Sequence, residues 1–410
     1  MDLQKLEATY LQLITHLEAN GYSAISTARI RRLIKRILRQ AKLKGWKSYT
    51  DIYLTYETGG ASPSYLREKR TQIGTIEQFE TFGRYPGNRR RTCICRKSTY
   101  DLLPDEFKAV IDHYCEAERH KGKREATIYT ESHNAASFLL ALYQKGFGSF
   151  SDITEKAVLD FFLDDHGSVC RSCSYKKNIA AVFKAGAEHF PQDTCAKILS
   201  YLPALREKRK NIQYLTKEEV TRMKVVLTSN YPALTLRDKA IGLLALQTGL
   251  RSCDIAGLTL ASIDWKNDRI YIKQQKTEVP LELPLTAIVG NAIYDYVMRE
   301  RPQKNIPEIF LAQSIPYTRM GSKSLNGIAN KIMAEASIRT TAGDRKGFHV
   351  FRHYMATTLL GNETPQPVIS RILGHTSPAS LNTYLSADFL HLKECALSIE
   401  CFPLGKEVLL

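Results

Sequence analysis

Nowhere in its 410 residues does this chain carry an apolar run approaching the ~20 residues needed to cross a bilayer. Its opening stretch, MDLQKLEATY, is polar and acidic where a secretory signal would place an apolar core. The expectation is a cytoplasmic chain with no membrane partner. Cysteine is sparse and odd in number, nine residues, which argues against a disulfide framework and for reduced thiols. Cys93-x-Cys95 is too tightly spaced for an ordinary zinc site. With Cys170-x2-Cys173, it reads as buried or incidental cysteine. Carboxylates do not cluster as a Mg²⁺ site would require, so neither metal nor cofactor is expected.

Acidic residues are also short: 42 Asp and Glu face 58 Lys and Arg, a formal charge of +16. A ribosomal or membrane-surface protein could carry the same surplus. Its commonest physical meaning is a polyanionic partner, since each phosphate neutralised releases condensed counterions. The surplus is uneven. Residues 1–96 hold 18 Lys and Arg against 8 Asp and Glu. The densest run is Arg29, Arg31, Arg32, Lys35, Arg36 and Arg39, followed by Lys42, Lys44 and Lys47. A second cluster is Arg89, Arg90 and Arg91. Exposed helix faces usually mix both signs, so these cations are read as DNA contacts rather than a solvated face.

Hydrophobic periodicity divides the chain into a mostly α architecture. Residues 1–83 form a basic helical module, with Leu3, Leu6, Tyr10, Leu13 and Leu17 at helical spacing and Ile30, Leu33, Ile34, Ile37 and Leu38 repeating it. Residues 84–103, containing GRYPGNRRR, read as a linker, and residues 104–205 as a second helical domain with a Phe138, Leu139, Leu142 and Tyr143 stripe. A charged linker at 206–213 leads to a third region, 214–410, opened by a Thr216–Glu219 capping box. The first two regions echo each other: KGWKSYTDI at Lys44–Ile52 matches KGFGSFSDI at Lys145–Ile153. SPSYLREK at Ser62 and SCSYKKN at Ser172 match only in a shifted register. Duplication of one helical module accounts for both echoes.

The third region holds the chemistry-bearing motifs. An apolar helix containing Ile241, Leu243, Leu244 and Leu246 stops at Gly249, which places Arg251 at a tight turn. Asp254 stands three residues on, positioned to orient it. A hairpin follows, with Ile270 and Ile272 alternating on one strand, Val279, Leu281, Leu283 and Leu285 on the other, and Lys276 in the turn. That lysine could be a solvated charge or a proton donor in a DNA groove. In FHVFRHYMATTLL, His349, Arg352 and His353 share a helix face, while Met355, Ala356, Leu359 and Leu360 face a core. Two such donors three residues apart can both serve one anion. Finally, an apolar helix through Ile369 and Leu373 stops at Gly374, and His375 follows. Ser377 and Pro378 then open a short helix carrying Tyr384.

Taken in order over about residues 212–395, these motifs resemble the tyrosine recombinase (phage integrase) family. The matching elements are Arg251, the hairpin Lys276, His349-x-x-Arg352, and Leu-Gly-His375 ahead of Tyr384. Two features depart from the usual pattern: Asp254 stands where many relatives have glutamate, and the hairpin turn is compressed. The resemblance implies an α catalytic domain with a small antiparallel sheet, preceded by a core-binding domain. It further implies that Arg251, Arg352 and His375 stabilise the phosphate in flight, and that Lys276 protonates the departing 5′ oxygen. His349 would assist proton transfer and Tyr384 would attack phosphorus. Such chemistry suits cations in a dry site, where negative charge spreads over non-bridging oxygens. Arginine forks pair with those oxygens, and the phosphotyrosine product conserves bond energy without ATP.

The family likeness also implies double-stranded DNA as partner and a homotetramer on DNA, with an accessory DNA-bending or directionality protein as a further partner. The extra N-terminal module points to a bacterial, nucleoid-associated integrase or transposon recombinase. Type IB topoisomerase-like DNA relaxation and a catalytically silent DNA-binding regulator are the rival readings. Behind Tyr384, Phe389, Leu390, Leu392, Ala396 and Ile399 form an apolar stripe that a short terminal helix cannot bury alone. Relatives dock this segment on a neighbouring protomer.

Overall fold

A computed structural model describes residues 1–86, 98–164, 166–191, 194–205, 212–229 and 233–385. The expectations for Arg89, Arg90 and Arg91, for Cys93 and Cys95, and for the apolar stripe from Phe389 to Ile399 lie outside the described residues. Two compact units emerge, Met1–Ala19 with Ser23–Arg209, and Asn20–Tyr22 with Lys210–Leu410. The architecture is mostly helical with one small antiparallel sheet, as the sequence predicts. No helix of the described residues is long and apolar enough to cross a membrane.

The first unit contains two groups of helices. In the first group, α1 (Leu3–Ala19), α2 (Ala24–Gln40), α3 (Tyr49–Glu57) and α4 (Pro63–Phe82) pack around Leu13, Leu17, Ile34, Ile37, Ile52 and Ile76. In the second, α5 (Asp105–His120), α6 (Glu125–Gln144), α7 (Glu155–Phe162), α8 (Cys173–Gly186) and α9 (Cys195–Tyr201) enclose an aromatic core of Phe107, Phe138, Phe150, Phe162 and Phe183. Tyr143 departs from its predicted stripe and is exposed, while Phe138, Leu139 and Leu142 are buried.

The echoed sequences fold alike. After α2 the Trp46 amide reaches back five residues to the Ala41 carbonyl (2.9 Å), and after α6 Phe147 does the same to Leu142 (3.2 Å). In each copy a serine amide then donates to an aspartate three residues on, Ser48 to Asp51 (2.8 Å) and Ser149 to Asp152 (3.2 Å). The aligned Tyr49 and Phe150 are buried, as are Ile52 and Ile153. Ser62 caps α4 and Ser172 caps α8, each accepting from a tyrosine amide three residues on. The register shift between these caps has a structural cause. Each copy places one short helix between the matched turn and the capped helix, α3 in the first and α7 in the second, and the second copy adds after α7 a loop closed by a Leu163–Val169 bridge.

In the second unit, Thr216 and Glu219 form the expected capping box at the start of α10 (Lys217–Thr228). The central helix α11 (Leu236–Thr248) is buried along nearly its whole length, which is why its sequence shows no amphipathic alternation. It leads through α12 (Ser252–Gly257) into three antiparallel strands, β1 (Ile263–Asp264), β2 (Arg269–Lys273) and β3 (Pro280–Pro284), in the order β1-β2-β3. Periodicity predicts the β2–β3 hairpin; two residues of β1 are too few for alternation to register. Helices α13 (Ala287–Arg299), α14 (Ser322–Glu335), α15 (Phe348–Gly361) and α16 (Gln366–Leu373) complete the core. A short 3-10 turn, Pro378–Leu381, precedes α17 (Asn382–Leu385).

Candidate active site

Two glycine stops build the site. Gly249 ends α11 and Gly374 ends α16, each in the left-handed conformation at φ 62°. At Gly374 the requirement is also spatial, since a Cβ would fall 2.3 Å from Gln274 Oε1. The first stop delivers Arg251 as the cap residue of α12, and the second turns His375 back so that its amide bonds the Ser370 carbonyl (2.8 Å). Both stops also leave carbonyls pointing inward, and these anchor an arginine. Arg352, on α15 and 4 % exposed, donates from Nη1 to the Gly249 carbonyl (3.1 Å) and from Nη2 to the Leu373 carbonyl (2.6 Å).

Arg251 is held by a different residue from the one its sequence neighbourhood suggests. Its Nη1 donates to Oε1 of Gln274 (2.6 Å), and Nη2 approaches the Gly374 carbonyl at 3.5 Å. Asp254, expected to orient Arg251, instead accepts the Gln275 amide (2.8 Å) and so pins the hairpin turn that carries Lys276. The physical reason is the position of Asp254 in the first turn of α12, fully buried, facing the turn after β2. Gln274 itself is fully buried; its amide donates to the Leu373 carbonyl (3.1 Å), and its oxygen also accepts from Thr277 (2.7 Å). A signal for it exists in the sequence. It continues the inward parity of Ile270 and Ile272, and a polar side chain on that face needs a partner.

Tyr384, 5 % exposed, packs in a small core with Ile212, Ala356, Leu360, Ile369, Leu373 and Leu381. Its ring lies 5.4 Å from that of His353 and 6.1 Å from that of His375, the latter nearly parallel. Its phenol lies close enough to the Arg352 guanidinium to favour the charged form of that group. Lys276 is exposed in the turn, close enough to His349 for its charge to be felt there. Thus Arg251, Lys276, His349, Arg352, His375 and Tyr384 are brought to one place, and His353 joins them.

The electrostatics of the cluster are set by burial and by two neighbouring guanidinium groups. Burial brings Arg352 down to about 10, helped by the charge of Arg251 and opposed by Tyr384. His353 and His375 are each lowered to about 4, first by burial and then by neighbouring groups that include Arg352. His349 is lowered by burial, then by Arg352, Lys276 and Arg251. At neutral pH the histidines are therefore uncharged donors and acceptors beside two fixed guanidinium groups, each retaining free N–H groups. Among the described residues no His, Cys, Asp and Glu group could hold a metal ion.

A model of the phage integrase family matches residues 213–391, which contain the whole cluster. Over 185 residues the chain is 32 % identical to integrase/recombinase y4gC of Sinorhizobium fredii, covering 45 % of this chain and 94 % of that protein. The chain belongs to the phage integrase family, the tyrosine recombinases. A second S. fredii relative, y4rF, is 30 % identical over 42 % of this chain and 40 % of its own length. Listeria innocua tyrosine recombinase XerC is 27 % identical over 44 % of this chain and 60 % of its own. The crystal structure of XerH site-specific recombinase bound to palindromic difH substrate shares the fold. It covers 73 % of this recombinase and 98 % of that chain at a TM-score of 0.55 and 17 % identity. Integrase and recombinase relatives favour site-specific recombination over the topoisomerase-like and silent-regulator readings.

Proposed function

We propose that this recombinase cuts and rejoins double-stranded DNA at a specific site, as the integrase or transposon recombinase of a bacterial mobile element. The observation that carries the reading is the placing of Tyr384 beside Arg352, His353 and His375. The Tyr384 oxygen bonds to phosphorus as the bond from phosphorus to the 5′ oxygen breaks, giving a 3′-phosphotyrosine. Its phenolic proton passes to the polar groups around it, with His349 assisting. Lys276 gives a proton to the departing 5′ oxygen. Arg251, Arg352 and His375 donate to the non-bridging oxygens, where charge develops. Reversal of the same step on a different 5′ end rejoins the strand.

Residues 104–205 would act as the core-binding domain and residues 214–410 as the catalytic domain. A homotetramer on DNA, with an accessory DNA-bending or directionality protein, would pair two sites in the cytoplasm. The test is direct. Protein incubated with fragments of its own genomic neighbourhood should become covalently attached to DNA at one sequence, and mapping that attachment identifies the site. Attachment scattered without sequence preference would instead support topoisomerase-like relaxation.

A further inference from the structure

All the exposed side chains of α2 between Arg31 and Arg39 are Arg or Lys. They do not behave alike. Arg29 is tied to Glu68 (2.8 Å) and Arg31 to Glu18 (3.0 Å). Arg32, Lys35, Arg36 and Arg39 have no carboxylate within ion-pair distance among the described residues. At 3.6 residues per turn these four fall within an arc of roughly 100°, along ~10 Å of helix. Arg36 is braced over the Tyr56 ring (5.2 Å) and donates to its hydroxyl (3.0 Å), which orders the cation without neutralising it.

Packing does not require this stripe. The matched Trp46 and Phe147 turns align α2 with α6, setting Arg32, Lys35, Arg36 and Arg39 opposite His133, Ala136, Ser137 and Leu140. In that copy Ala136 is buried and Leu140 packs against the core. The two helices share an inner face; the outer face is partly covered in α6, through Ala136 and Leu140, whereas in α2 it is open at all four positions and cationic.

We infer that this outer face of α2 is a second DNA-contact surface, which runs along the phosphates of duplex outside the cleaved bond. The inference rests on the recombinase reading for the nature of the polyanion. A protein-binding face would be expected to place apolar or aromatic anchors at its centre. Here the centre is a row of charges, and ~10 Å spans about three phosphate steps of one strand at ~3.4 Å of axis each. Contacts of this kind add affinity and orientation and do not read sequence.

Because phosphate contact is independent of sequence, the experiment needs no known target. Full-length protein is titrated against a fluorescent duplex of about forty base pairs and arbitrary sequence over a fourfold range of salt. Two variants each remove two cations from the same helix: Arg32→Gln with Arg39→Gln, and Arg29→Gln with Arg31→Gln. The first should reduce the slope of log affinity against log salt by ~1.8, about 0.9 per phosphate contact, and the second by less than ~0.5. Unchanged helix content by circular dichroism shows that both variants remain folded. An unchanged slope in the first variant overturns the inference, and so does an equal reduction in both. Failure of the recombinase reading shows separately, as absence of any covalent protein–DNA adduct from the parent protein.

Discussion

Nη1 of Arg251 donates to Oε1 of Gln274 across 2.6 Å, and the amide of the same glutamine donates to the Leu373 carbonyl (3.1 Å). That carbonyl also takes Nη2 of Arg352 (2.6 Å). One buried side chain therefore fixes the first arginine and shares an anchor with the second. A guanidinium binds phosphate well only when its plane is aimed, so the residue that aims Arg251 matters to rate more than to affinity.

Gln274→Leu keeps the side-chain size and removes both hydrogen-bonding groups. Covalent attachment to DNA should slow by about a hundredfold, the usual scale for misplacing one anion-stabilising donor. DNA affinity should change by less than about threefold, since other contacts dominate it. Gln274→Glu restores the acceptor for Arg251 but not the donor to Leu373, and it should recover part of the rate. Single-turnover cleavage and binding, measured side by side, check both variants. Equal losses in rate and affinity would reduce Gln274 to a packing residue.

Much of this site was legible before the structure. Gly249 and Gly374 announced helix stops, and with them the places of Arg251 and His375. The His349-x-x-Arg352 spacing announced a shared face on α15. What the sequence could not settle was which neighbour serves which arginine. Asp254 and Gln274 are both buried polar groups near Arg251; only the path of the turn after β2 assigns Gln274 to the arginine and Asp254 to the Gln275 amide. The cations of α2 posed the same difficulty, because Glu18 and Glu68, from other helices, neutralise two of them.

Asp254→Ala deprives the Gln275 amide of its acceptor and loosens the turn that carries Lys276. Cleavage should slow in this variant and slow further in Lys276→Ala. If Lys276 protonates the 5′ oxygen, a substrate with sulfur at that bridging position should restore both, since a thiolate leaves without a proton. Restoration of neither variant would assign the proton to another acid.

Acid should weaken the fold through His353 and His375. Each titrates near 4 in the folded chain against an ordinary 6.5, so between those values the unfolded chain binds more protons. Stability then falls as the pH drops through that window, and above about 6.5 these groups contribute no slope. His353→Gln removes one of these histidine titrations, so its melting temperature should fall less between about pH 7 and about pH 5 than that of the parent. Parallel curves would show that His353 is not held neutral by burial.

The central claim is that Tyr384 is the nucleophile. Tyr384→Phe removes one oxygen and leaves the ring in its small apolar core. The decisive measurement is covalent capture on a nicked duplex bearing the mapped cleavage site, in which release of a short 5′ fragment prevents rejoining. Parent protein should accumulate a 3′-phosphotyrosine adduct, while Tyr384→Phe should bind the same DNA with unchanged affinity and form none. An adduct from the Phe variant at the parental rate would contradict the account.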